Sequence, residues 1–207
     1  MQSLWIPLTE VGDLAVNGER AGSASRLAGG DAVRVSAPRR PQPLAAGRFV
    51  LDVHLGALAR RLRLVGVDAS YSNDADDDEL IEQANAQQRV LLTQDRALLC
   101  RRALGAGAYV RGSRPDDQLA DVLERFAPAL APWTRCPACN GLLVPVSKAQ
   151  VSSLLLPGTR RTYSAFSRCQ DCGQIYWHGA HSSRLRSIIA SAERLVGDED
   201  GQRRFGG

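Results

Sequence analysis

Apolar and polar residues in the middle of the chain follow two periods, one typical of buried strands and one typical of amphipathic helices. Short apolar runs at residues 49–51 and 90–93 end one or two residues before an aspartate, as expected for strands buried on both faces of a parallel sheet. Apolar residues then recur at helical spacing between residues 55 and 66. The same patterns predict further strands at 69–72 and 108–111 and further helices at 79–87, 97–104 and 115–126. Strands that alternate with helices predict an α/β fold in which a parallel sheet is flanked by helices.

The two ends of the chain have a different texture. Residues 1–36 contain short strand patterns around a tight Asn-Gly turn, and residues 37–47 are proline-rich and predict a linker. Beyond the α/β region at 48–132, residues 133–195 hold cysteine pairs, short strands and a final helix that begins near residue 182. Residues 196–207 are polar and predict a flexible tail.

The composition is that of a folded protein. The 207 residues are 44% hydrophobic and 23% charged, which is enough to bury a core. No apolar run approaches the roughly 18 residues that a membrane span requires, so we expect no membrane partner. The start of the chain lacks a basic stretch followed by an apolar one, so we expect a cytoplasmic protein.

The net charge of +4 is distributed unevenly. Residues 48–132 carry 11 basic and 13 acidic side chains, whereas residues 133–207 carry 10 basic and 5 acidic ones. Carboxylates hold divalent ions and arginines neutralise phosphates, so this division fits a metal site beside a surface for a polyanion. The alternative is that an asymmetry of this size arises by chance.

Four of the five cysteines form two CxxC pairs, Cys136 with Cys139 and Cys169 with Cys172. Two such pairs can complete the tetrahedral shell of a structural Zn²⁺, and four thiolates leave no open position for catalysis. A thioredoxin-like redox role is the alternative, but neither pair follows a strand and opens a helix. The fifth cysteine, Cys100, lies in a predicted helix and is expected to be a small buried residue.

Aspartates follow two of the predicted strands. Asp52 ends the first strand and Asp95 comes shortly after the third, while residues 76–78, all aspartates, precede the second helix. Ligands bind at the carboxyl ends of the strands in parallel sheets. If the first and third strands are neighbours, these carboxylates converge, and a divalent cation would neutralise them and assist phosphodiester hydrolysis. Taken singly, each aspartate also fits a helix cap.

These segments together resemble a known family. The sequences FVLD at 49–52, HLGALARRLRLVG at 54–66, DDDEL at 76–80 and VLLTQDR at 90–96 resemble the PIN-like nucleases. The sequences CQDCGQIYW at 169–177 and GAH at 179–181 narrow the resemblance to the Mut-seven C-terminal RNase family, in which a PIN-like domain is fused to a zinc ribbon. The resemblance covers about residues 48–190 and implies a ribonuclease that depends on Mg²⁺ or Mn²⁺.

The resemblance also assigns roles to individual acids. Asp52 matches the first acid of the family, Asp77 the acid that opens the middle helix, and Asp95 the acid after a Thr-x-Asp turn. Asp116 is the candidate for a fourth acid, with Asp117 as its alternative. Family members often have a basic or bulky residue after the first acid and a methionine before the leucine. Val53 and His54 stand there in this chain, so the substrate-facing side of the first helix is expected to differ.

Basic and aromatic residues of the ribbon and of the first helix are the candidate RNA contacts. They are Arg60, Arg61, Arg168, Tyr176, Trp177 and His181, with Arg160, Arg161, Arg184 and Arg186 as further phosphate contacts. Each of these residues also fits a solvated surface or the core. His178 and His181 are the alternative zinc ligands, which four thiolates make unnecessary. Association with the ribosome or with tRNA and the oligomeric state stay open.

Two other functions fit the same sequence. A non-catalytic RNA- or ribosome-binding module would use the ribbon and the arginines alone and would need no divalent ion. The toxin of a toxin–antitoxin pair would share the nuclease chemistry.

The beginning of the chain resembles the C-terminal half of a ubiquitin-like β-grasp domain, which bacterial members of the family often carry. The resemblance rests on residues 14–19 and 27–35, while the first hairpin and the helix of that domain are missing. A misplaced start codon and a degenerate remnant are equally open explanations. We therefore infer no carrier function, and the terminal Gly206-Gly207 does not change this expectation.

Overall fold

A computed structural model describes residues 6–22, 24–43, 47–177, 179 and 182–204. The strands are β1 (Leu14–Val16), β2 (Glu19–Ala21), β3 (Val33–Val35), β4 (Arg48–Leu51), β5 (Asp68–Tyr71), β6 (Val90–Thr93), β7 (Gly107–Tyr109), β8 (Leu143–Val146), β9 (Phe166–Cys169) and β10 (Ile175–Trp177). The helices are α1 (Gly56–Leu64), α2 (Asp77–Ala86), α3 (Arg96–Leu99), α4 (Pro115–Phe126), α5 (Lys148–Val151), α6 (Pro157–Thr162) and α7 (Ser182–Arg204). Short 3-10 turns lie at Leu8–Glu10, Val53–Leu55 and Ser152–Leu154.

A parallel sheet with the strand order β5-β4-β6-β7 forms the centre of the molecule. Its side chains alternate between two apolar layers. Val50 and Leu91 pack with α2 and α3 on one face, while Phe49 and Leu92 pack with α1, α4 and α7 on the other. The α/β prediction is confirmed, and the two central strands, β4 and β6, are buried on both faces as their continuous apolar runs require.

The sheet order creates a switch point between β4 and β6. The chain passes from β4 to β5 on one side and then returns to β6 on the other side of β4. All four strands run in the same direction, so their carboxyl ends share one edge. The connections leaving β4 and β6 diverge there, which is where open α/β sheets bind ligands.

The sequence predicted some element bounds better than others. Both β6 and α4 have the predicted limits, because an apolar run and an N-terminal proline mark them. The predicted helix at 97–104 ends at Leu99 instead, and Cys100 is exposed, so its predicted burial is wrong. The final helix continues to Arg204, past the predicted end at Leu195 and through most of the predicted tail.

The cysteine-rich region forms a second, antiparallel sheet in the order β10-β9-β8. An insertion between β8 and β9 contains α5 and α6, which the sequence patterns did not predict. Val151, Leu155 and Phe166 form its small core. Helix α7 instead buries Ile189 and Ala192 in the core of the central sheet, so it covers the α/β unit.

The N-terminal strands form a third small sheet in the order β2-β1-β3. The predicted Asn17-Gly18 turn is present, with both residues at positive φ. This segment is fixed to the central unit by Glu10, whose carboxylate accepts hydrogen bonds from the Tyr109 amide at 2.9 Å and from Arg125 at 2.8 and 3.0 Å. The predicted linker is attached as well, because the Gln42 amide donates to the Arg125 carbonyl.

In the part of the chain that the structure describes, no helix combines the length and the apolar character needed to cross a bilayer.

Candidate functional site

Asp52 and Asp95 lie on either side of the switch point and are connected through Thr93. Asp52 follows β4 and is 7% exposed, and its Oδ2 accepts a 2.5 Å hydrogen bond from the Thr93 hydroxyl. The same hydroxyl oxygen accepts a 2.8 Å hydrogen bond from the Asp95 amide. Thr93 is fully buried, so its hydroxyl fixes the position of Asp52 relative to the backbone of Asp95. The first and third strands of the sheet are neighbours, which is the condition that the sequence set for these carboxylates to converge.

The two carboxylates keep free acceptor positions. Asp95 Oδ1 caps α3 by accepting from the Ala97 amide at 2.7 Å and the Leu98 amide at 3.4 Å. Among the described residues, neither Asp95 Oδ2 nor Asp52 Oδ1 receives a hydrogen bond. Oxygen atoms of this kind suit a hard divalent cation, so the donor set fits Mg²⁺ or Mn²⁺.

The three aspartates at the start of α2, residues 76–78, have different surroundings. Asp76 is the N-cap, and its carboxylate accepts from the Glu79 amide at 2.9 Å in a reciprocal capping box. Asp78 forms an ion pair with Arg101. Asp77 is exposed, and no described residue bonds its carboxylate. Asp77 is therefore the member of the cluster that is free to bind a ligand.

Asp116 and Asp117, the candidates for a fourth acid, are both paired with arginine. Arg61 donates to Asp116 at 2.7 Å, and Arg114 holds Asp117 with two hydrogen bonds of 2.8 and 2.9 Å. These hydrogen bonds from Arg114 lower the pKa of Asp117 below its ordinary value. The sequence predicted separate functions for Asp116 and Arg61, whereas the structure joins them in one ion pair.

The four paired cysteines come together. Their Sγ atoms all lie within 4.8 Å of one another, with 3.7 Å between Cys136 and Cys172 and 3.4 Å between Cys139 and Cys169. A Zn²⁺ with Zn–S bonds of about 2.3 Å would separate its sulfurs by roughly 3.8 Å, so the cluster fits a tetrahedral zinc. Among the described residues, this is the one group of three or more metal-ligating side chains so closely gathered, and the carboxylates form no such group.

Two backbone turns hold the cysteines. In the first turn, the Asn140 amide donates to the Cys136 carbonyl at 2.9 Å, and in the second, the Gly173 amide donates to the Cys169 carbonyl at 3.1 Å. Gly173 has a φ of +74°, which favours glycine. Gly141 has no room for a side chain, since a Cβ there would lie 2.8 Å from Cys169 Sγ.

Tyr176 contacts this cysteine cluster. Its hydroxyl lies 3.0 Å from Cys136 Sγ and donates to the thiolate form. Burial opposes ionisation of Cys136, but this hydrogen bond and those from backbone amides outweigh it and lower its pKa to about 7. Burial and hydrogen bonds with the neighbouring thiols raise the pKa of Cys139 to about 12, so binding of a zinc ion would have to displace the proton of that thiol.

The first cysteine turn is bonded to the edge strand β5. Arg63 is 3% exposed and donates to the carbonyls of Ala69, Pro137 and Ala138 at 2.8, 3.1 and 2.8 Å. Asn140 accepts from the Ala69 amide at 3.0 Å and donates to Asp68 at 2.8 Å. Because Asp68 and Ala69 begin β5, the four-cysteine cluster lies at the amino edge of the sheet, opposite the acids.

Burial and neighbouring polar groups act in opposite directions on the charged residues at this junction. Burial lowers the pKa of Arg63, and the nearby Cys139 and Cys136 act against that shift. Burial also opposes ionisation of Asp68, but hydrogen bonds from Arg89 and Asn140 outweigh it and lower its pKa. The sequence patterns did not identify Arg63 and Asn140 as functional. One feature of the sequence could have indicated that Arg63 is buried: it lies four residues after Ala59, on the apolar side of α1.

The structure places the candidate RNA contacts in different environments. Arg60 and Arg168 are exposed, as are Arg160 and Arg161 on α6 and Arg184 and Arg186 on α7. Trp177 is 41% exposed, while Tyr176 is half-buried. The predictions for His178 and His181 lie outside the described residues.

Comparisons with known proteins agree with this organisation. Residues 47–189 match the family model of the Mut7-C RNAse domain, and residues 1–42 match that of the Mut7-C ubiquitin domain. No curated protein and no solved structure matches the chain. The first match covers more than half of the chain. It includes the four-cysteine cluster and also the carboxyl edge of the parallel sheet with Asp52, Asp77 and Asp95, called the acidic edge below. The chain belongs to the Mut7-C RNAse domain family.

Proposed function

We propose that this protein is a metal-dependent ribonuclease that hydrolyses RNA phosphodiester bonds at the acidic edge of the parallel sheet. The observation that carries the proposal is the pair of Asp52 and Asp95 at the switch point, joined through the buried Thr93. Asp77 completes the proposed ligand set, because its two neighbours in the cluster are occupied by capping and by Arg101.

Residues of the chain have defined tasks in this proposal. Asp52, Asp77 and Asp95 would hold Mg²⁺ or Mn²⁺ through their free oxygens, with Asp116 as the fourth acid beside them. The bound ion would polarise the phosphodiester and lower the pKa of an attacking water. Thr93 keeps Asp52 in place by its hydrogen bond, and burial keeps bulk water away from that carboxylate.

The zinc ribbon would support RNA binding and would not catalyse. Four thiolates fill a zinc shell, so this ion has no open position for water or substrate. The ribbon carries exposed arginines on α6 and β9, and arginine suits phosphate contacts. RNA is therefore the proposed partner of both the acidic edge and the ribbon.

Cleavage of structured and single-stranded RNA over a range of Mn²⁺ concentrations tests this proposal. We expect Asp52→Asn, Asp77→Asn and Asp95→Asn each to lower the rate by roughly 100-fold or more, because each removes a ligand charge. Asp78→Asn is the matched control, since this residue pairs with Arg101 and should retain activity. Equal cleavage by all variants would refute the assigned site.

RNA binding separates this proposal from that of a non-catalytic module. Salt-dependent binding that needs no divalent ion, without cleavage by the wild-type protein, would favour the non-catalytic module. Growth arrest on expression would instead point to a toxin-type nuclease.

A further inference from the structure

A groove of about 490 Å³ runs between α1, the ribbon and α7. Its walls include Arg60 and Arg61 from α1, Trp133 and Arg135 before the ribbon, and Tyr176 and Trp177 from β10. None of the described residues that line it is acidic. The groove therefore combines aromatic surface with positive charge, which is the chemistry that binds single-stranded nucleic acid.

Trp177 provides a braced aromatic surface. Its ring lies 6.4 Å from the ring of Tyr163 and 6.4 Å from that of Phe166, measured between centroids. These neighbours restrict the indole, while 41% of the residue stays exposed. An aromatic ring that is exposed and already ordered can stack with a base at little entropic cost.

Arg60 provides charge that the protein itself does not neutralise. Its Nε donates to the Gly56 carbonyl at 3.3 Å, and no described acidic residue forms an ion pair with it. Arg61 and Arg135 add positive charge to the wall although each is paired with an aspartate. Arg60 is therefore the side chain best placed to bind a phosphate.

One wall of the groove contacts the carboxyl edge of the sheet through Arg61. Helix α1 starts four residues after Asp52, and Arg60 is roughly 6 Å along the helix from that start. Asp116, in the first turn of α4 at the same edge, lies 2.7 Å from Arg61 in the groove wall. The ion pair between Asp116 and Arg61 therefore connects one wall of the groove to the carboxyl edge of the sheet.

We propose that this groove binds the unpaired nucleotides of single-stranded RNA next to the scissile bond. A base stacks on Trp177, and a phosphate pairs with Arg60. Double-stranded RNA is excluded from this site because its bases are stacked within the helix and cannot reach the indole. This inference rests on the proposed function and names its substrate class.

Binding of a fluorescein-labelled oligouridine to the full-length, zinc-loaded protein tests the groove. Anisotropy is measured without added divalent ion, so that no cleavage occurs. We expect Trp177→Ala to raise the Kd by about 10-fold or more, and Trp177→Phe to keep most of the affinity. We expect Arg60→Gln to weaken binding and to reduce the slope of log Kd against log salt by about 0.7.

Control variants keep this test interpretable. Arg102→Gln removes an exposed arginine after α3 that does not line the groove and should leave the Kd unchanged. Zinc content and the thermal unfolding curve verify that Trp177→Ala is folded. The inference is overturned if Trp177→Ala and Arg60→Gln bind oligouridine like the wild type, or if blunt duplex RNA binds as tightly and loses the same affinity in both variants.

The two proposals can fail separately. Cleavage that depends on Asp52 and Asp77 but is indifferent to Trp177 and Arg60 would overturn the groove alone. Oligouridine binding that depends on Trp177 and Arg60, without cleavage by the wild type, would overturn the nuclease proposal and leave the groove as a binding site.

Discussion

Thr93 shows how a single buried hydroxyl organises the acidic edge. It donates to Asp52 and accepts from the Asp95 amide, so it bonds both sides of the switch point. The motif in the sequence marked Asp95 but gave no sign that the threonine beside it serves Asp52, 41 residues earlier. Such pairing depends on the sheet order, which local patterns do not encode.

Replacing Thr93 with valine keeps its shape and removes both hydrogen bonds. We expect Thr93→Val to lose about 1–3 kcal/mol in free energy of unfolding, because the Asp52 carboxylate and the Asp95 amide lose a buried partner. If the nuclease proposal holds, half-maximal cleavage should also require more Mn²⁺. Thr93→Ser keeps the hydroxyl and should retain most of the wild-type behaviour. A valine variant with wild-type Mn²⁺ dependence would show that Thr93 does not position the acids.

Strong local patterns in the sequence predicted where some strands and helices begin and end. The burial of individual residues depended instead on contacts between distant segments. Val90–Thr93 could be predicted from its apolar run, and α4 from Pro115 and its apolar stripe. The exposure of Cys100 could not be predicted, because α3 ends one residue before this cysteine, earlier than the sequence pattern indicates. Arg63 is one of several arginines in α1, and its residue type does not mark it as buried. It is buried because it donates hydrogen bonds to the carbonyls of the first cysteine turn, which lies more than 70 residues later in the chain.

The Arg63 contacts connect the four-cysteine cluster to the central sheet, so we expect a zinc ion bound by the cysteines to stabilise that sheet. Removal of zinc should loosen the turn that presents the Pro137 and Ala138 carbonyls to Arg63. We therefore expect a chelator to lower the unfolding temperature of the whole α/β unit, observed by circular dichroism. Melting of the ribbon alone, with an unchanged main transition, would contradict this coupling.

A substitution at Arg63 tests the same coupling without removing the metal. Arg63→Met should lose about 3 kcal/mol in free energy of unfolding, because the carbonyls of Ala69, Pro137 and Ala138 lose the donor that joins them. Arg60→Met is the matched control on the same helix. Arg60 is exposed, so the change should stay within about 0.5 kcal/mol.

At the scale of the whole molecule, three sheets are joined through a few charged residues. Arg63 joins the ribbon to the central sheet, and Arg125 joins the N-terminal segment to it. Arg125 is 3% exposed and donates to Glu10, to the Thr9 carbonyl at 2.9 Å and to Gln42 at 2.5 Å. The sequence predicted where the segments lie along the chain, but it gave no sign of these joints, since each pairs residues more than 70 positions apart.

Glu10 is expected to hold the N-terminal segment in place. Glu10→Gln leaves the buried Arg125 without its counter-charge and should lose about 3 kcal/mol in free energy of unfolding. Urea unfolding measures this loss, and limited proteolysis shows whether the segment detaches. Asp13→Asn is the control, because its 3.9 Å pair with Arg20 is exposed and should contribute less than about 1 kcal/mol. Equal stability of the two variants would contradict the assigned role of Glu10.

The central claim is that Asp52, Asp77 and Asp95 hold the catalytic ion. Anomalous diffraction from a crystal soaked in Mn²⁺ tests it most directly, and the zinc at Cys136, Cys139, Cys169 and Cys172 provides an internal positive control. We expect a manganese peak at the carboxyl edge, coordinated by oxygens of Asp52, Asp77 and Asp95. A clear zinc peak at the cysteines with no manganese peak at that edge would contradict it.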